Sequence, residues 1–228
     1  MDEIKTYYAF FDVDGTVIRI KTMLNFLKYF YLNQNKIMGN YKHIKYKLGT
    51  FLYEKMGINR EWLNQRYYKQ FKGYQKSYVH NLGENWFLFE KKKLNNLYIQ
   101  NVIDEINKHK KNNAEIIFVS GSFEPCLRPL ARQLGVKKIL STVLEIENDL
   151  YTGKIIPPQT IGEGKAIKVR NFLNNQSNCD PDQCFAYGDH TSDIPMLECV
   201  GNPYVIAGDK KLESHALLNN WSIINSNH

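Results

Sequence analysis

Residues 7–17 read YYAFFDVDGTV, a nearly continuous apolar run that is interrupted by two aspartates and a glycine. A short apolar run that ends in a turn signal is typical of a β-strand buried on both faces, as in a parallel sheet. Asp12 and Asp14 stand two positions apart on this extended segment, so they lie on the same side of it. The segment therefore predicts a first sheet strand that presents two carboxylates to one ligand.

Two later strands are also predicted to end in polar residues. Ser120 follows the apolar run EIIFV, and Asp189 follows CFAYG. In open parallel sheets, ligands bind outside the carboxyl ends of the strands, so we expect Asp12, Ser120 and Asp189 to meet at one edge. Crowded carboxylates repel one another unless a hard cation lies between them. Mg²⁺ binds carboxylate oxygens and leaves positions open for a phosphate, so the pattern predicts Mg²⁺ as the cofactor.

The order of the predicted elements favours an α/β fold. Outside residues 22–111, strands alternate with helices, which is typical of a mostly parallel sheet covered on both faces. Within residues 22–111, apolar and aromatic residues recur at helical spacing, and this block is too long to be a loop in a compact domain. We therefore predict a catalytic α/β core of residues 1–18 and 112–228, with residues 19–111 inserted as an all-helical cap.

Four segments together resemble the motifs of the haloacid dehalogenase-like hydrolase superfamily. In chain order they are Asp12-x-Asp14-Gly15-Thr16, Ser120 at the end of a strand, Lys165 at the start of a helix, and Gly188-Asp189-x-x-x-Asp193 after another strand. The helical insertion between the first and second motifs is similar to the cap of the phosphoserine-phosphatase-like branch. The resemblance implies a Rossmann-like three-layer core and a phosphatase that works through an aspartyl-phosphate intermediate.

The resemblance also implies a role for each motif residue. Asp12 would be the nucleophile, and Asp14 would protonate the leaving oxygen and then deprotonate the attacking water. Asp14 favours a phosphatase, because the dehalogenating relatives lack this second aspartate. Ser120 and Lys165 would stabilise the transferring phosphoryl oxygens.

The remaining implied positions concern the metal, the phosphate and supporting contacts. The metal ligands would be Asp12, Asp14 through its backbone carbonyl, and Asp189. Gly121 would contact the phosphate beside Ser120. Thr16 and Asp193 would support the site, with Asp193 orienting Lys165 or metal-bound water.

Each motif has a structural alternative when it is taken alone. Asp14 with Gly15 forms an ordinary turn signal, and Ser120 fits the cap of a following helix. Asp193 fits an N-cap before Pro195. All of these alternatives would have to coincide at strand ends, which favours the common site. His190, inside the last motif and without a visible partner, is interpreted as a bystander.

The substrate is predicted to differ from phosphoserine. In phosphoserine phosphatases of this type an acidic residue stands nine positions after the nucleophile, and here that position is Lys21. A cation there repels a substrate ammonium group and attracts a carboxylate, a second phosphate or a sugar hydroxyl. Arg19 and Lys21 are therefore candidate substrate-binding residues, with solvated side chains as the alternative. Small phosphorylated acids and sugar or polyol phosphates remain open.

Composition favours a folded protein without an export signal. Of 228 residues, 43% are hydrophobic and 23% are charged, as in globular domains. The sequence has neither a leader-like start nor an apolar run near the roughly 18 residues that span a bilayer, so we expect a cytoplasmic location and no membrane partner. Four scattered cysteines predict free thiols rather than disulfides or a zinc site. The oligomeric state stays open.

Charge is distributed unevenly along the chain. Residues 19–115 hold 19 Lys and Arg against 7 Asp and Glu, a net charge of +12. This excess fits either a solvated lysine-rich face or a field that attracts anionic substrate. A rival function is nucleic-acid binding, because Lys and Tyr alternate in YKHIKYKL and NQRYYKQFKGYQKSY. Helical spacing of these aromatics favours core positions instead, so we do not expect nucleic acid to be a partner.

A third alternative is a non-catalytic interaction protein on the same fold. The presence of every motif residue argues against it. The sequence therefore predicts a phosphomonoesterase whose partner is a small phosphate ester.

Overall fold

The computed structural model describes residues 7–226, which contain one seven-stranded sheet in the order β4-β3-β2-β1-β5-β6-β7. All neighbouring pairs are parallel except β3 and β4, which form an antiparallel hairpin. The strands are β1 (Tyr8–Phe11), β2 (Glu115–Phe123), β3 (Lys138–Glu147), β4 (Leu150–Ile156), β5 (Phe185–Gly188), β6 (Asn202–Ile206) and β7 (Ser222–Ile224). The predicted mostly parallel α/β sheet is confirmed.

Helices fill the connections between the strands. Five of them lie between β1 and β2: α1 (Thr22–Gln34), α2 (Lys36–Lys55), α3 (Arg60–Tyr68), α4 (Lys76–Lys93) and α5 (Gln100–Lys111). The later helices are α6 (Glu124–Gln133), α7 (Glu163–Asn174), α8 (Ile194–Leu197) and α9 (Lys210–Leu218). Within residues 7–226, no helix is both long enough and apolar enough to cross a bilayer.

Two hydrophobic clusters cover the opposite faces of the sheet. Phe11 and Phe118 belong to the first cluster, whereas Phe10 and Ile117 belong to the second. This alternation follows from the pleat of a strand, which points successive side chains to opposite faces. All four side chains are fully buried, which explains why β1 and β2 read as continuous apolar runs.

The strand register brings the predicted motifs together. Phe11 of β1 is paired with Phe118 of β2 on one side and with Tyr187 of β5 on the other. The residues that follow these partners therefore emerge at the same edge of the sheet. Asp12 is the first of them, and its backbone N–H donates to the Tyr187 carbonyl over 2.9 Å.

The helices of residues 22–93 join the sheet through aromatic packing. Phe123 at the end of β2 lies 4.9 Å from Phe71 and 5.7 Å from Tyr68, measured between ring centroids. Tyr46, Tyr67, Tyr68 and Phe71 come from the segments rich in Lys and Tyr, and all four are buried. These aromatic rings therefore belong to the core, as their helical spacing indicated.

The predicted division into a core and a cap stays a prediction. Helix α5, the last part of the predicted cap segment, packs on the sheet through the buried residues Val102 and Ile106. Its His109 lies 2.7 Å from the hydroxyl of Tyr187 in β5. On this packing we propose that the inserted cap ends before α5. Residues 1–6 and 227–228 of the predicted core lie outside the described residues.

Candidate active site

A cavity of about 80 Å³ opens at the carboxyl ends of β1, β2 and β5. It is lined by Asp12, Asp14, Lys21, Met23, Asn64, Ser120, Gly121, Ser122, Ile161, Lys165, Asp189, His190, Ser192 and Asp193. Most of the residues predicted from the motifs are in this set. Thr16 adjoins it, because its hydroxyl donates to Asp189 Oδ1 over 3.2 Å. Arg19 instead lines a neighbouring groove, which shares Asp189 and His190 with the cavity.

Lys165 forms a buried ion pair with two carboxylates. Its Nζ lies 2.5 Å from Asp12 Oδ1 and 2.7 Å from Asp193 Oδ1. All three side chains are almost fully shielded from solvent. Burial lowers the pKa of Lys165, but the charges of Asp12 and Asp193 outweigh that effect and raise it above its usual value. Lys165 is therefore a fixed positive charge beside Asp12.

Three carboxylates crowd this end of the sheet. Asp12, Asp189 and Asp193 each place an oxygen within 4.8 Å of the others. Burial raises the pKa of Asp12, and the negative charge of Asp189 raises it further. Burial also raises the pKa of Asp189, and there the charge of Asp193 adds to the effect. Lys165 offsets part of the negative charge. A hard divalent cation fits the remainder, because the available donors are carboxylate and carbonyl oxygens.

The hydrogen bonds separate the metal candidates from the supporting residues. Both oxygens of Asp193 have protein partners, since Oδ1 binds Lys165 and Oδ2 accepts from the His190 N–H over 3.3 Å. Asp193 therefore positions Lys165 and the loop after β5. The carboxylates of Asp12 and Asp189 fit a cation better, and the Asp14 carbonyl accepts from Lys21 Nζ over 3.4 Å.

Gly15 allows the loop after β1 to approach Asp189. Its φ of +96° lies in the left-handed region, and a Cβ at this position would stand 2.2 Å from Asp189 Oδ2. That distance is far below van der Waals contact, so a side chain here would displace the carboxylate. The close approach to Asp189 thus explains why the motif has glycine at position 15. The turn signal in the sequence did not reveal this steric requirement.

Replacement of Gly15 by alanine should therefore cost more than backbone strain alone. Gly57 is a matched control, because its φ of +75° is similar and a Cβ there would meet nothing within 4 Å. We expect Gly57→Ala to lower the free energy of unfolding by about 1 kcal/mol and Gly15→Ala to lower it by roughly 2–3 kcal/mol. Urea unfolding of both variants measures the difference. Equal losses would contradict the close approach to Asp189.

Asp14 is held by the first turn of α1. The backbone N–H and the hydroxyl of Thr22 donate to Asp14 Oδ2 over 2.9 and 3.0 Å. Oδ1 is buried and has no hydrogen-bond partner among the described residues. Burial raises the pKa of Asp14 to about 7, with the charge of Asp12 as the next cause. Near neutral pH, Asp14 can therefore both give and take a proton.

The loop at the end of β2 presents two hydroxyl groups. Ser120 Oγ accepts from the Ser122 N–H over 3.1 Å, which leaves the Ser120 hydroxyl hydrogen available to a ligand. Ser122 Oγ is buried without a hydrogen-bond partner in the described part of the chain. Neither serine caps α6, since the N-cap residue is Phe123, without a side-chain capping bond. The helix-cap interpretation of Ser120 is therefore wrong.

The backbone between these serines is held in place from two directions. The Gly121 carbonyl accepts from the Tyr68 hydroxyl over 2.5 Å and from the Thr142 hydroxyl over 3.0 Å. Tyr68 belongs to α3, so this contact links the inserted helices to the site.

Several lining residues were not found from the sequence. Asn64 reaches the cavity from α3. An isolated asparagine in a helical segment matches no motif, so the sequence did not point to it. His190, which was interpreted as a bystander, also lines the cavity, and its Nδ1 accepts from the Ser192 N–H over 3.1 Å. Ser122 had a usable signal, because it stands two positions after Ser120 on a strand.

The sequence of the chain is similar to a known protein family and to individual known proteins. A family model described as haloacid dehalogenase-like hydrolase matches residues 9–198. A protein named as a probable phosphatase, from Mycobacterium tuberculosis, is 25% identical over 225 residues, a match that covers 95% of this chain and 74% of that protein.

Solved structures share the fold at low sequence identity. A protein of unknown function from Bordetella pertussis Tohama I matches with a TM-score of 0.83 at 18% identity, covering 98% of this chain and 100% of that one. A structure described as a phospho-aspartyl intermediate analogue of phosphoserine phosphatase matches with a TM-score of 0.64 at 14% identity. It covers 98% of this chain and 95% of its own, so the similarity extends over the inserted helices.

Proposed function

Because the chain belongs to the haloacid dehalogenase-like hydrolase family, we propose that it is a magnesium-dependent phosphomonoesterase acting on a small phosphorylated metabolite. Its fold is that of the phosphoserine-phosphatase-like branch, and a relative is named a probable phosphatase. The observation that supports the proposal most directly is one cavity lined by Asp12, Asp14, Ser120, Lys165 and Asp189. These are the groups that phosphoryl transfer to a carboxylate requires.

The first step transfers the phosphoryl group to Asp12. A carboxylate oxygen of Asp12 attacks phosphorus, the phosphorus–oxygen bond of the ester breaks, and the leaving oxygen takes a proton from the Asp14 carboxyl group. Lys165 and the Ser120 hydroxyl stabilise the charge that develops on the phosphoryl oxygens. The product is an acyl phosphate on Asp12 and a free alcohol.

The second step restores the enzyme. Asp14, now a carboxylate, takes a proton from water, and the water oxygen attacks phosphorus. The bond between phosphorus and the Asp12 oxygen breaks, which releases inorganic phosphate. Thr22 keeps Asp14 oriented throughout, because both of its hydrogen bonds go to Oδ2, and the buried Oδ1 has no partner among the described residues.

Asp12, Asp189 and the Asp14 carbonyl are the groups that would hold magnesium. When bound, the ion would offset the carboxylate charge and draw electron density from the phosphoryl oxygens. Asp193 would act by positioning Lys165, to which it is bonded over 2.7 Å. Arg19, which lines the neighbouring groove, is not part of this proposal.

A screen of phosphorylated metabolites tests the proposal. The purified chain is assayed for phosphate release with and without Mg²⁺, with p-nitrophenyl phosphate as a generic substrate and Asp12→Asn as the negative control. We expect release that stops when EDTA removes the metal. Metal-independent release, or release retained by Asp12→Asn, would refute the proposed function.

The loss of turnover caused by Asp14→Asn should depend on the leaving group of the substrate. Asparagine cannot protonate an alkoxide, but p-nitrophenolate leaves without protonation. We therefore expect loss of alkyl phosphate turnover, with p-nitrophenyl phosphate still able to phosphorylate Asp12. Because the second step also lacks its base, phosphorylated protein should accumulate. Intact-protein mass spectrometry detects the added phosphoryl group, and robust steady-state turnover of either substrate would contradict the role of Asp14.

Lys21→Glu should change substrate preference rather than general activity. Lys21 lines the cavity and approaches the Asp14 carbonyl over 3.4 Å, so its charge would act on a substrate bound there. An acid at this position would attract the ammonium group of phosphoserine and repel a second anionic group. We expect the ratio of kcat/KM for phosphoserine to that for p-nitrophenyl phosphate to rise at least tenfold. Exposed Lys211→Glu is the control, and equal losses on both substrates would indicate that Lys21 is structural.

A further inference from the structure

Helix α2 carries a continuous apolar face that points to solvent. Its members are Ile37 (86% exposed), Met38 (52%), Tyr41 (60%), Ile44 (57%), Leu48 (59%), Phe51 (54%) and Leu52 (59%). Five of them recur at alternating intervals of four and three residues, which aligns them on one side of the helix. Helical residues of this size normally turn towards a core, so an outward face about four turns long requires an explanation.

Contacts on the opposite side of α2 keep this apolar face towards solvent. Gly39 and Tyr46 are buried, and a Cβ at Gly39 would stand 2.3 Å from the Tyr31 carbonyl of α1. Gly49 similarly approaches the Arg66 guanidinium of α3, where a Cβ would stand 2.9 Å away. Since α1 and α3 are packed against this glycine-containing side, α2 cannot rotate to bury the apolar face.

Lysines border the apolar face on both sides. Lys36 and Lys47 project along one margin, and Lys42 and Lys45 along the other, as a helix with 3.6 residues per turn requires. The helix contains five lysines and a single acidic residue, Glu54. This combination of an apolar stripe with basic margins matches helices that lie in the plane of an anionic lipid surface.

We propose that the outward face of α2 docks the protein onto an anionic membrane surface. The apolar side chains would enter the boundary between headgroups and acyl chains, while the bordering lysines pair with lipid phosphates. Trp62 of α3 is 41% exposed beside α2, with its ring 5.0 Å from Tyr53, and indole rings favour that same boundary. Surface docking needs no spanning segment, so it agrees with the helix lengths described above, but it departs from the expectation of no membrane partner.

A second copy of the chain is the competing occupant. Two α2 faces packed together would bring lysine margins against each other, with Glu54 as the one acidic partner that α2 supplies from each copy. Anionic lipids complement the same margins. Charge complementarity therefore favours the lipid surface over self-association.

Flotation with lipid vesicles tests the docking independently of catalysis. The full chain is mixed with vesicles of phosphatidylcholine and phosphatidylglycerol, or of phosphatidylcholine alone. We expect binding to the anionic vesicles that weakens strongly as salt is raised. The double variant Ile44→Glu, Phe51→Glu should lower affinity at least tenfold. Lys45→Gln with Lys47→Gln should lower it by roughly 25-fold, at about fivefold per lysine.

Matched controls separate docking from general effects. The double variant Leu217→Glu, Leu218→Glu changes two apolar residues on α9 that are more exposed than Ile44 and Phe51, and it should leave vesicle binding unchanged. Hydrolysis of p-nitrophenyl phosphate by each variant reports an intact fold, because α2 lies outside the cavity. Absence of binding to anionic vesicles would overturn the proposal. So would an equal loss in the α9 control, or a dimer, seen by light scattering, that the α2 variant disperses without any lipid binding.

Discussion

Asp12→Asn should reduce phosphate release by at least about 10⁴-fold while leaving the fold intact. An amide nitrogen or oxygen in place of the carboxylate cannot form the acyl phosphate, so both chemical steps are lost. The fold should survive because asparagine has nearly the same shape and Lys165 keeps its bond to Asp193. The free energy of unfolding should change by less than about 2 kcal/mol.

The measurement compares initial rates of phosphate release with saturating magnesium, together with urea unfolding of the same preparations. Asp149→Asn is the matched control, since it makes the same chemical change at an exposed residue of the hairpin between β3 and β4. We expect it to retain full activity. Turnover by Asp12→Asn within tenfold of the unchanged protein would show that another group accepts the phosphoryl group.

Lys165→Met should impair both stability and catalysis. Methionine has a similar length but no charge, so Asp12 and Asp193 would remain buried without their shared cation. Removal of one partner from a buried ion pair typically costs about 3–5 kcal/mol. Activity should fall by roughly 10²–10³-fold, because the developing phosphoryl charge loses a fixed donor.

Double-variant analysis separates the two effects of Lys165. Adding Asp193→Asn to Lys165→Met removes one unpaired carboxylate, so the double variant should be more stable than Lys165→Met alone. Activity should not return with stability, because the phosphoryl group still lacks the ammonium. Lys211→Met, at an exposed site on α9, is the control and should be neutral. Additive losses of stability would contradict the buried network.

The fold and the family were predictable because their signals are local. A buried parallel strand leaves an unbroken apolar run, and β1 shows it in Phe10 and Phe11, which face opposite sides of the sheet. The turn between β3 and β4 also has a local signal, because it holds Asn148 and Asp149, residue types that tolerate the positive φ values of 49° and 62° found there. The predicted sheet and family are confirmed, while the roles of the individual site residues stay predictions.

The missed features depend on contacts between distant segments. Thr22 orients Asp14 only because the chain after β1 turns back on itself, and Asn64 reaches the cavity only through the packing of α3. Arg19 stands two residues before Lys21, yet it lines a different groove. The direction of the apolar face of α2 was equally hidden, because periodicity reveals a stripe but not whether protein or solvent covers it.

The central place of β1 has a consequence for protein synthesis. Asp12 is synthesised more than 170 residues before β5 (residues 185–188), the strand that pairs with β1 on one side. At about 5–20 residues per second, the interval between them is on the order of ten to forty seconds. Throughout that time the nascent chain exposes at least the edge of the apolar strand β1 that later pairs with β5. Synthesis through Asp193 is therefore a condition for assembling this site, and chains truncated before residue 185 should be inactive and prone to aggregate.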